Sequence, residues 1–133
     1  MKKMLLTILL SLFLGTNANT EIISIVCVDE ERSKKENRNV SIKISFDENE
    51  NWLDIGGQKF INGLKKDDNE EIIGMTDIRI SVNEVKILHT DEQLGIILKM
   101  IINRISGAMS QNGFMVGKEY NYSYQCKKDD RAF

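Results

Sequence analysis

Proline is absent from the 133-residue sequence, histidine and tryptophan occur once each, and cysteine occurs twice. One histidine and two cysteines are too few for the clustered ligands that transition-metal sites use. The stretch "DIGGQK" (54–59) has two glycines and a lysine but lacks the spacing of a phosphate-binding loop. We therefore expect neither a metal centre nor a cofactor.

The longest uncharged apolar run lies near the start, from Met4 to Leu14, between a double lysine and the small residues of "GTNAN". This order is typical of a secretory signal peptide. The run is shorter than the roughly 20 residues that a membrane-spanning helix requires. We expect cleavage after Ala18, so that residues 1–18 are the signal peptide and residues 19–133 form a single β domain.

The charge balance is mildly acidic. The formal charge is −2, and removal of the two signal-peptide lysines takes it to −4. The charged runs "DEERSKKENR" (29–38) and "KKDDNEE" (65–71) mix both signs, which predicts solvated loops. Mixed charge without a basic patch is poorly suited to nucleic acid or to an anionic membrane. We expect no nucleic-acid partner and no stable membrane insertion after signal cleavage.

Export also determines how the two cysteines are used. An even number of cysteines in an oxidising compartment is expected to pair. Lipidation of Cys27 is disfavoured, because this residue lies well downstream of the apolar run. A lipidated Cys27 would also leave Cys126 without a cysteine to pair with. We predict a Cys27–Cys126 disulfide. The abundant Lys, Asn and Ile, with no Pro, indicate a low-GC bacterium and a periplasmic or secreted protein.

Alternation of apolar and polar residues is the dominant pattern of the mature chain, and it predicts β-strands. The stretch "EIISIVCV" (21–28) is a β-branched run suited to a buried strand. In the other strands, one face is formed by Val40, Ile42, Ile44 and Phe46, by Ile78, Ile80 and Val82, and by Tyr120, Tyr122 and Tyr124.

Turn signals separate these runs at "DENEN" (47–51), at Gly56 and at the Asn-Gly pairs beginning at Asn62 and Asn112. Short strands at this spacing predict an all-β fold, an antiparallel meander that curls into a small barrel or sandwich. Cys126 shares its face with the three tyrosines, so a disulfide to Cys27 would join the first mature strand to the last.

Residues 91–105 fit two interpretations. Helical spacing of the apolar residues, a capping box at Thr90 and Gln93 and a terminal Gly107 favour one short helix. As a strand, the same stretch has two largely apolar faces, which suits a strand that is covered on both sides.

Three stretches, "MTDIRISVNEVKI", "MIINRISGAMSQ" and "YSYQCKKDDRAF", resemble a pattern of small exported bacterial proteins that mostly have no assigned function. The pattern is I-T-D-x-x-I, then I-N/D-R-x-S/T-G, then a C-terminal Cys and a final aromatic residue. The resemblance implies that the middle stretch is a strand that turns at its glycine, and it favours the strand interpretation. The matching residues are Ile102, Asn103, Arg104, Ser106, Gly107, Cys126 and Phe133.

No constellation of residues predicts catalysis. His89 is followed by Thr90 and Asp91, but adjacent residues of a strand point to opposite faces and form no relay by adjacency, so we expect a surface or strand-end histidine. A calcium loop counted from Asp47 would have Trp52 at its sixth position, where a helix–loop–helix site requires Gly. We expect a protein that is not an enzyme.

Binding is the activity that we predict instead. The candidate binding surface comprises Trp52, Ser106, Phe114 and Met115, and the partner is an unknown protein or a small apolar ligand. One alternative is an inhibitor of a cell-wall lytic enzyme or protease. The stretch "SGAMSQNGF" resembles the S-G-A-R-Y loop of the membrane-bound c-type lysozyme inhibitors, although Met109 and Ser110 replace its Arg and Tyr. The other alternative is a small lipocalin-like carrier.

Overall fold

The computed structural model describes residues 21–129, which form ten strands and one short helix. The expected cleavage site after Ala18 and the terminal Phe133 lie outside the described residues. In chain order the elements are β1 (Ile22–Val28), α1 (Glu30–Glu36), β2 (Ser41–Asp47), β3 (Trp52–Ile55), β4 (Gln58–Ile61), β5 (Gly63–Lys66), β6 (Ile72–Ile80), β7 (Glu84–Asp91), β8 (Ile96–Asn103), β9 (Ala108–Met115) and β10 (Lys118–Lys128).

All ten strands belong to one antiparallel sheet with the order β4-β3-β2-β1-β10-β9-β8-β7-β6-β5. The sheet curls into a nearly closed barrel, as the sequence predicted. Consecutive strands are neighbours except for β4 and β5, which lie at the two edges of the sheet order. In addition, β1 pairs with β10, so that the first and last described strands lie side by side.

Asn62 brings the two ends of the sheet together. It lies between β4 and β5, which are the two edge strands of the sheet order. Its Oδ1 accepts a hydrogen bond from the Ile78 N–H at 2.6 Å, and its Nδ2 donates to the Ile78 carbonyl at 3.4 Å. The side chain therefore provides a donor and an acceptor to β6, as a paired strand residue would.

The interior of the barrel is filled by the inward faces of the strands. The residues that are exposed by less than 2 % are mainly large and apolar, and they include Phe46, Ile44, Leu53, Met100 and Ile102. Ile42, Ile44 and Phe46 thus occupy the inward face that the alternation of β2 predicts. This packing leaves the middle of the barrel filled by side chains.

The sequence prediction for β6 was wrong at its end. Ile78 is buried and Ile80 packs against the core, but Val82 lies beyond the strand in the turn to β7 and is 85 % exposed. The strand ends at Ile80 because Ser81 and Asn83 form the turn, where the Ser81 hydroxyl accepts from the Asn83 and Glu84 N–H groups.

The strand interpretation of residues 91–105 is confirmed, and the helical one is wrong. Asp91 ends β7, a tight turn follows, and β8 pairs with β7 and β9 along its length. Only one face is covered, contrary to the expectation for a strand here: Leu98, Met100 and Ile102 are buried, whereas Ile97 and Ile101 are exposed.

The expected loop at residues 29–38 is instead the helix α1. Asp29 caps it, with Oδ1 accepting from the Arg32 N–H at 2.9 Å, and Asn37 ends it with a φ of 51°. Acidic residues in its first turn and basic residues in its last turn suit the helix dipole. No helix within residues 21–129 has the length and apolar character needed to cross a membrane.

The predicted disulfide between Cys27 and Cys126 is confirmed. The two residues are directly opposite each other in the β1–β10 register, with their Cα atoms 3.9 Å apart. Both are buried on the inward face of the barrel. The bond therefore joins two strands that are 99 residues apart in the chain.

Candidate functional site

The connection between β9 and β10 exposes three consecutive apolar residues. Met115 pairs with Lys118, so the loop between them has only two residues, Val116 and Gly117. Phe114 is 44 % exposed, Met115 52 % and Val116 82 %. We call residues 114–117 the hairpin tip. An uninterrupted apolar run in this position is unusual for a turn, where polar residues and glycine predominate.

Val116 has a backbone conformation that disfavours its side chain. Its φ is +53° and that of Gly117 is +75°, and two positive values mark a type I′ turn, in which Asn-Gly and Gly-Gly are preferred. The other two-residue hairpin loop of the described chain, between β3 and β4, uses Gly56 and Gly57. For a β-branched residue the left-handed region costs roughly 1–2 kcal/mol. The tip therefore carries valine at the expense of stability.

The outer face of the barrel extends the apolar surface of the hairpin tip. Phe114 lies opposite Ile97 in the register, and Ile97 lies opposite Thr90. Thr90 lies opposite Met75, which in turn lies opposite Leu64. Ile97 and Leu64 are exposed. A row of five residues therefore runs from the tip across the strands β9 to β5, and all of them except Thr90 are apolar.

The turn predicted at Asn112–Gly113 is wrong, because both residues lie within β9. Gly113 has a φ of +153°, and the β9 backbone passes so close to β8 that a Cβ on Gly113 would overlap the carbonyl oxygen of Ile97. Glycine is therefore needed at position 113 because two strands approach each other closely there. The turn lies four residues later, which leaves Phe114 and Met115 at the end of a strand.

Trp52 and Ser106 do not join Phe114 and Met115 in one surface. Trp52 is half-buried on β3, opposite Ile61 of β4, and its ring lies 4.6 Å from Lys59 Nζ. Ser106 lies in the β8–β9 turn at the other end of the barrel. There its Oγ accepts from the Ala108 N–H, which is the bond of a local turn.

The three tyrosines of β10 lie on the side of the disulfide. Tyr120 and Tyr124 pack against the core, and burial raises the pKa of both phenols. Tyr122 stacks on Tyr120 with ring centroids 5.7 Å apart, and the Arg32 guanidinium of α1 lies 4.3 Å from its ring centre. These contacts hold α1 against β10.

His89, which we expected at the surface or at a strand end, lies near the end of β7 and is half-buried, with its ring turned into the barrel. Its Nδ1 lies 2.7 Å from the Thr76 hydroxyl and its ring meets Phe60 edge-on. Burial lowers the pKa of His89, although the nearby Asp91 carboxylate opposes the shift. Lys65 Nζ lies 2.9 Å from Asp91 Oδ2 and lowers the pKa of that carboxyl.

This lowered histidine pKa predicts a dependence of stability on pH. The unfolded chain binds a proton near the ordinary pKa of 6.5, before the folded protein does. The contribution of neutral His89 to the free energy of unfolding is therefore expected to be fully present above about pH 6.5. It should be lost as the pH falls through the lower folded-state pKa. Urea unfolding midpoints of the wild type and His89→Gln, compared from about pH 7.5 to 5, should show a smaller decrease in the variant. Equal decreases would contradict the assignment.

Comparisons of the chain with protein-family models, with curated proteins and with solved structures found no match. What the fold and site define is a class, a small antiparallel β-barrel with a cross-strand disulfide and an apolar hairpin tip. Sequence reasoning identified Phe114 and Met115 but missed Val116 and Ile97. The sequence signal that could have indicated Val116 is the pair Val116-Gly117, a turn pair with valine in the place where asparagine or glycine is usual.

Proposed function

We propose that this is an exported, non-enzymatic protein that acts by binding another protein through its hairpin tip. The observation that carries the proposal is the exposure of Phe114, Met115 and Val116 in succession, with Val116 in a left-handed conformation. Residues held in sparsely populated backbone regions cluster at functional sites. A turn that was shaped by stability alone would have Asn or Gly at this position.

Apolar residues at the end of a hairpin are well placed to enter a depression on another protein. A few buried aromatic and apolar side chains supply most of the energy of a protein interface, within a rim of weaker contacts. Phe114 and Met115 provide such side chains, and the outer row through Ile97 provides a neighbouring apolar surface. The contiguity of these residues supports one binding surface.

The buried Cys27–Cys126 disulfide supports export, because such bonds persist in oxidising compartments. Exported compartments include the bacterial periplasm and the extracellular medium. The N-terminal pattern of a signal peptide adds to this proposal. We therefore propose that the protein is periplasmic or secreted in a bacterium.

Capture of a partner tests the binding surface. Immobilised wild type, Val116→Asn and Val82→Asn should be incubated with a periplasmic extract of the producing bacterium. Val82 is the matched control, because it is an equally exposed turn valine at the opposite end of the barrel. We expect a protein that the wild type and Val82→Asn retain, and that Val116→Asn retains at least about tenfold less, since losing a central apolar contact costs on the order of 1–2 kcal/mol or more.

Equal retention of every captured protein by Val116→Asn and the wild type would argue against the hairpin tip. Sedimentation of the free protein distinguishes a second copy of the chain from a different partner. A dimer that Val116→Asn abolishes would show that the tip binds another copy, and it would replace the proposal of a foreign partner.

The partner class that we test first is an enzyme of cell-wall lysis or a protease, because a projecting apolar hairpin has the shape to enter an enzyme cleft. Purified lysozyme and trypsin are the probes. Inhibition that Val116→Asn weakens and Val82→Asn preserves would support an inhibitor. A lipocalin-like carrier with a central cavity has less support, because Phe46, Leu53 and Met100 fill the middle of the barrel.

A further inference from the structure

The end of the barrel opposite the hairpin tip contains a cavity of about 280 Å³. Its apolar wall comes from the start of β1, the end of β2 and the end of β8, and it includes one half of the disulfide. Glu21, Gly107 and the polar and basic side chains at the ends of β8 and β10 also line it. The apolar wall residues are Ile23, Ile25, Phe46, Ile102 and Cys126.

Part of this wall is unfilled apolar surface. Ile23 and Ile25 are only half-buried, although they pack against the core and lie opposite Phe46 and Ile44 of β2. Ile44 of β2 and Leu53 of β3, by contrast, are fully buried. The cavity is therefore a place where the described barrel leaves inward apolar side chains only partly covered.

The mouth of the cavity is basic, in a chain whose formal charge is −2. Three basic residues line it, Arg104, Lys127 and Lys128, against one acidic residue, Glu21, and a second acidic residue, Glu48, forms an ion pair with Arg104. The basic mouth is thus a local reversal of the overall charge, and it favours an anionic group.

Arg104 is held at the boundary between the apolar wall and the mouth. Its guanidinium lies 5.3 Å from the ring centre of Phe46, donates to the Ser81 carbonyl at 2.6 Å and forms an ion pair with Glu48. Those contacts fix the plane of the guanidinium. Arginine carries five N–H groups, so donors are left for an anion after these two bonds.

We propose that this cavity binds a small amphiphilic anion, with a short apolar chain against Ile23, Ile25 and Phe46 and a carboxylate or phosphate at Arg104 and the two lysines. About 280 Å³ corresponds to roughly nine groups of water size, at ~30 Å³ each. It lies just below the usual range of ligand cavities, which is about 300–1,000 Å³. The site is distinct from the hairpin tip and does not depend on it.

Titration calorimetry with octanoate, octyl phosphate, octanol and octyltrimethylammonium tests the proposal. We expect both anions to bind at least tenfold more tightly than the alcohol and the cation, and methyl resonances of Ile23 and Ile102 to shift on binding. A preference for phosphate over carboxylate would identify the head group. Equal binding of the cation, or no binding of either anion, would overturn the proposal.

Three variants locate the binding site. Ile23→Trp fills the cavity and should abolish octanoate binding, whereas Ile23→Ala enlarges it and should shift the preference from octanoate to decanoate. The double change Lys127→Gln/Lys128→Gln should weaken octanoate binding at least fivefold. Lys66→Gln/Lys118→Gln is its matched control at the other end of the barrel and should leave binding unchanged. Thermal unfolding confirms that each variant is folded, and the Ile23→Ala result stands if Ile23→Trp does not fold. Unchanged binding in folded Ile23→Ala and in the cavity lysine variant would contradict the site.

Discussion

Replacement of Cys126 by serine is expected to lower the midpoint of thermal unfolding by at least about 10 °C and to leave one free thiol. The disulfide closes a loop with a sequence separation of 99, which in the chain-entropy model stabilises by up to roughly 4–5 kcal/mol. Domains of this size have a total stability of roughly 5–15 kcal/mol, and each kcal/mol shifts the midpoint by about 4 °C. Calorimetry and thiol titration measure the two effects.

The double variant Cys27→Ala/Cys126→Ala is the control for this prediction. It removes the bond without leaving a buried unpaired thiol, so a decrease similar to that of Cys126→Ser assigns the effect to the lost crosslink. An unchanged midpoint in both variants would show that the β1–β10 pairing does not depend on the bond.

Gly113→Ala is expected to reduce the free energy of unfolding by about 2–6 kcal/mol. The new Cβ would overlap the Ile97 carbonyl oxygen and lie 2.8 Å from the carbonyl carbon, so the β8 and β9 backbones must separate. The φ of +153° adds a cost of roughly 1–3 kcal/mol for a residue with a side chain, and overpacking adds about 1–3 kcal/mol. Urea unfolding at equilibrium measures the sum.

Gly117→Ala separates the two contributions. Gly117 also has a positive φ, of +75°, but a Cβ there would meet nothing within 4 Å. We expect this variant to lose roughly 1 kcal/mol, from the backbone alone. If Gly113→Ala loses no more than Gly117→Ala, the close approach of β8 and β9 does not constrain residue 113.

Most of the strands could be predicted from the sequence because a half-buried strand alternates apolar and polar residues. In β2, Ile42, Ile44 and Phe46 alternate with solvent-facing residues, and the structure places them accordingly. Residues 91–105 were ambiguous, because apolar spacing in β8 fits a helix as well as a strand. Hydrogen bonds to β7 and β9 decide the matter, and such long-range pairing is not encoded locally.

The candidate site was predicted only in part. An Asn-Gly pair is a strong turn signal, so the sequence predicts the turn at Asn112 and indicates Phe114 and Met115 rather than Val116. The local sequence does not reveal that Gly113 is needed where two strands approach each other. The disulfide was predictable because the chain has only two cysteines, which allow a single pairing, and each of them was expected on the inward face of its strand.

The stability of Val116→Asn tests most directly the claim that the hairpin tip is shaped for contact rather than for folding. Asparagine adopts the left-handed conformation readily. The substitution removes little packing, because the Val116 side chain is 82 % exposed. We predict that the urea unfolding midpoint rises, with a gain of about 1 kcal/mol in the free energy of unfolding. A lower midpoint than that of the wild type would show that Val116 stabilises the fold, and it would contradict the account.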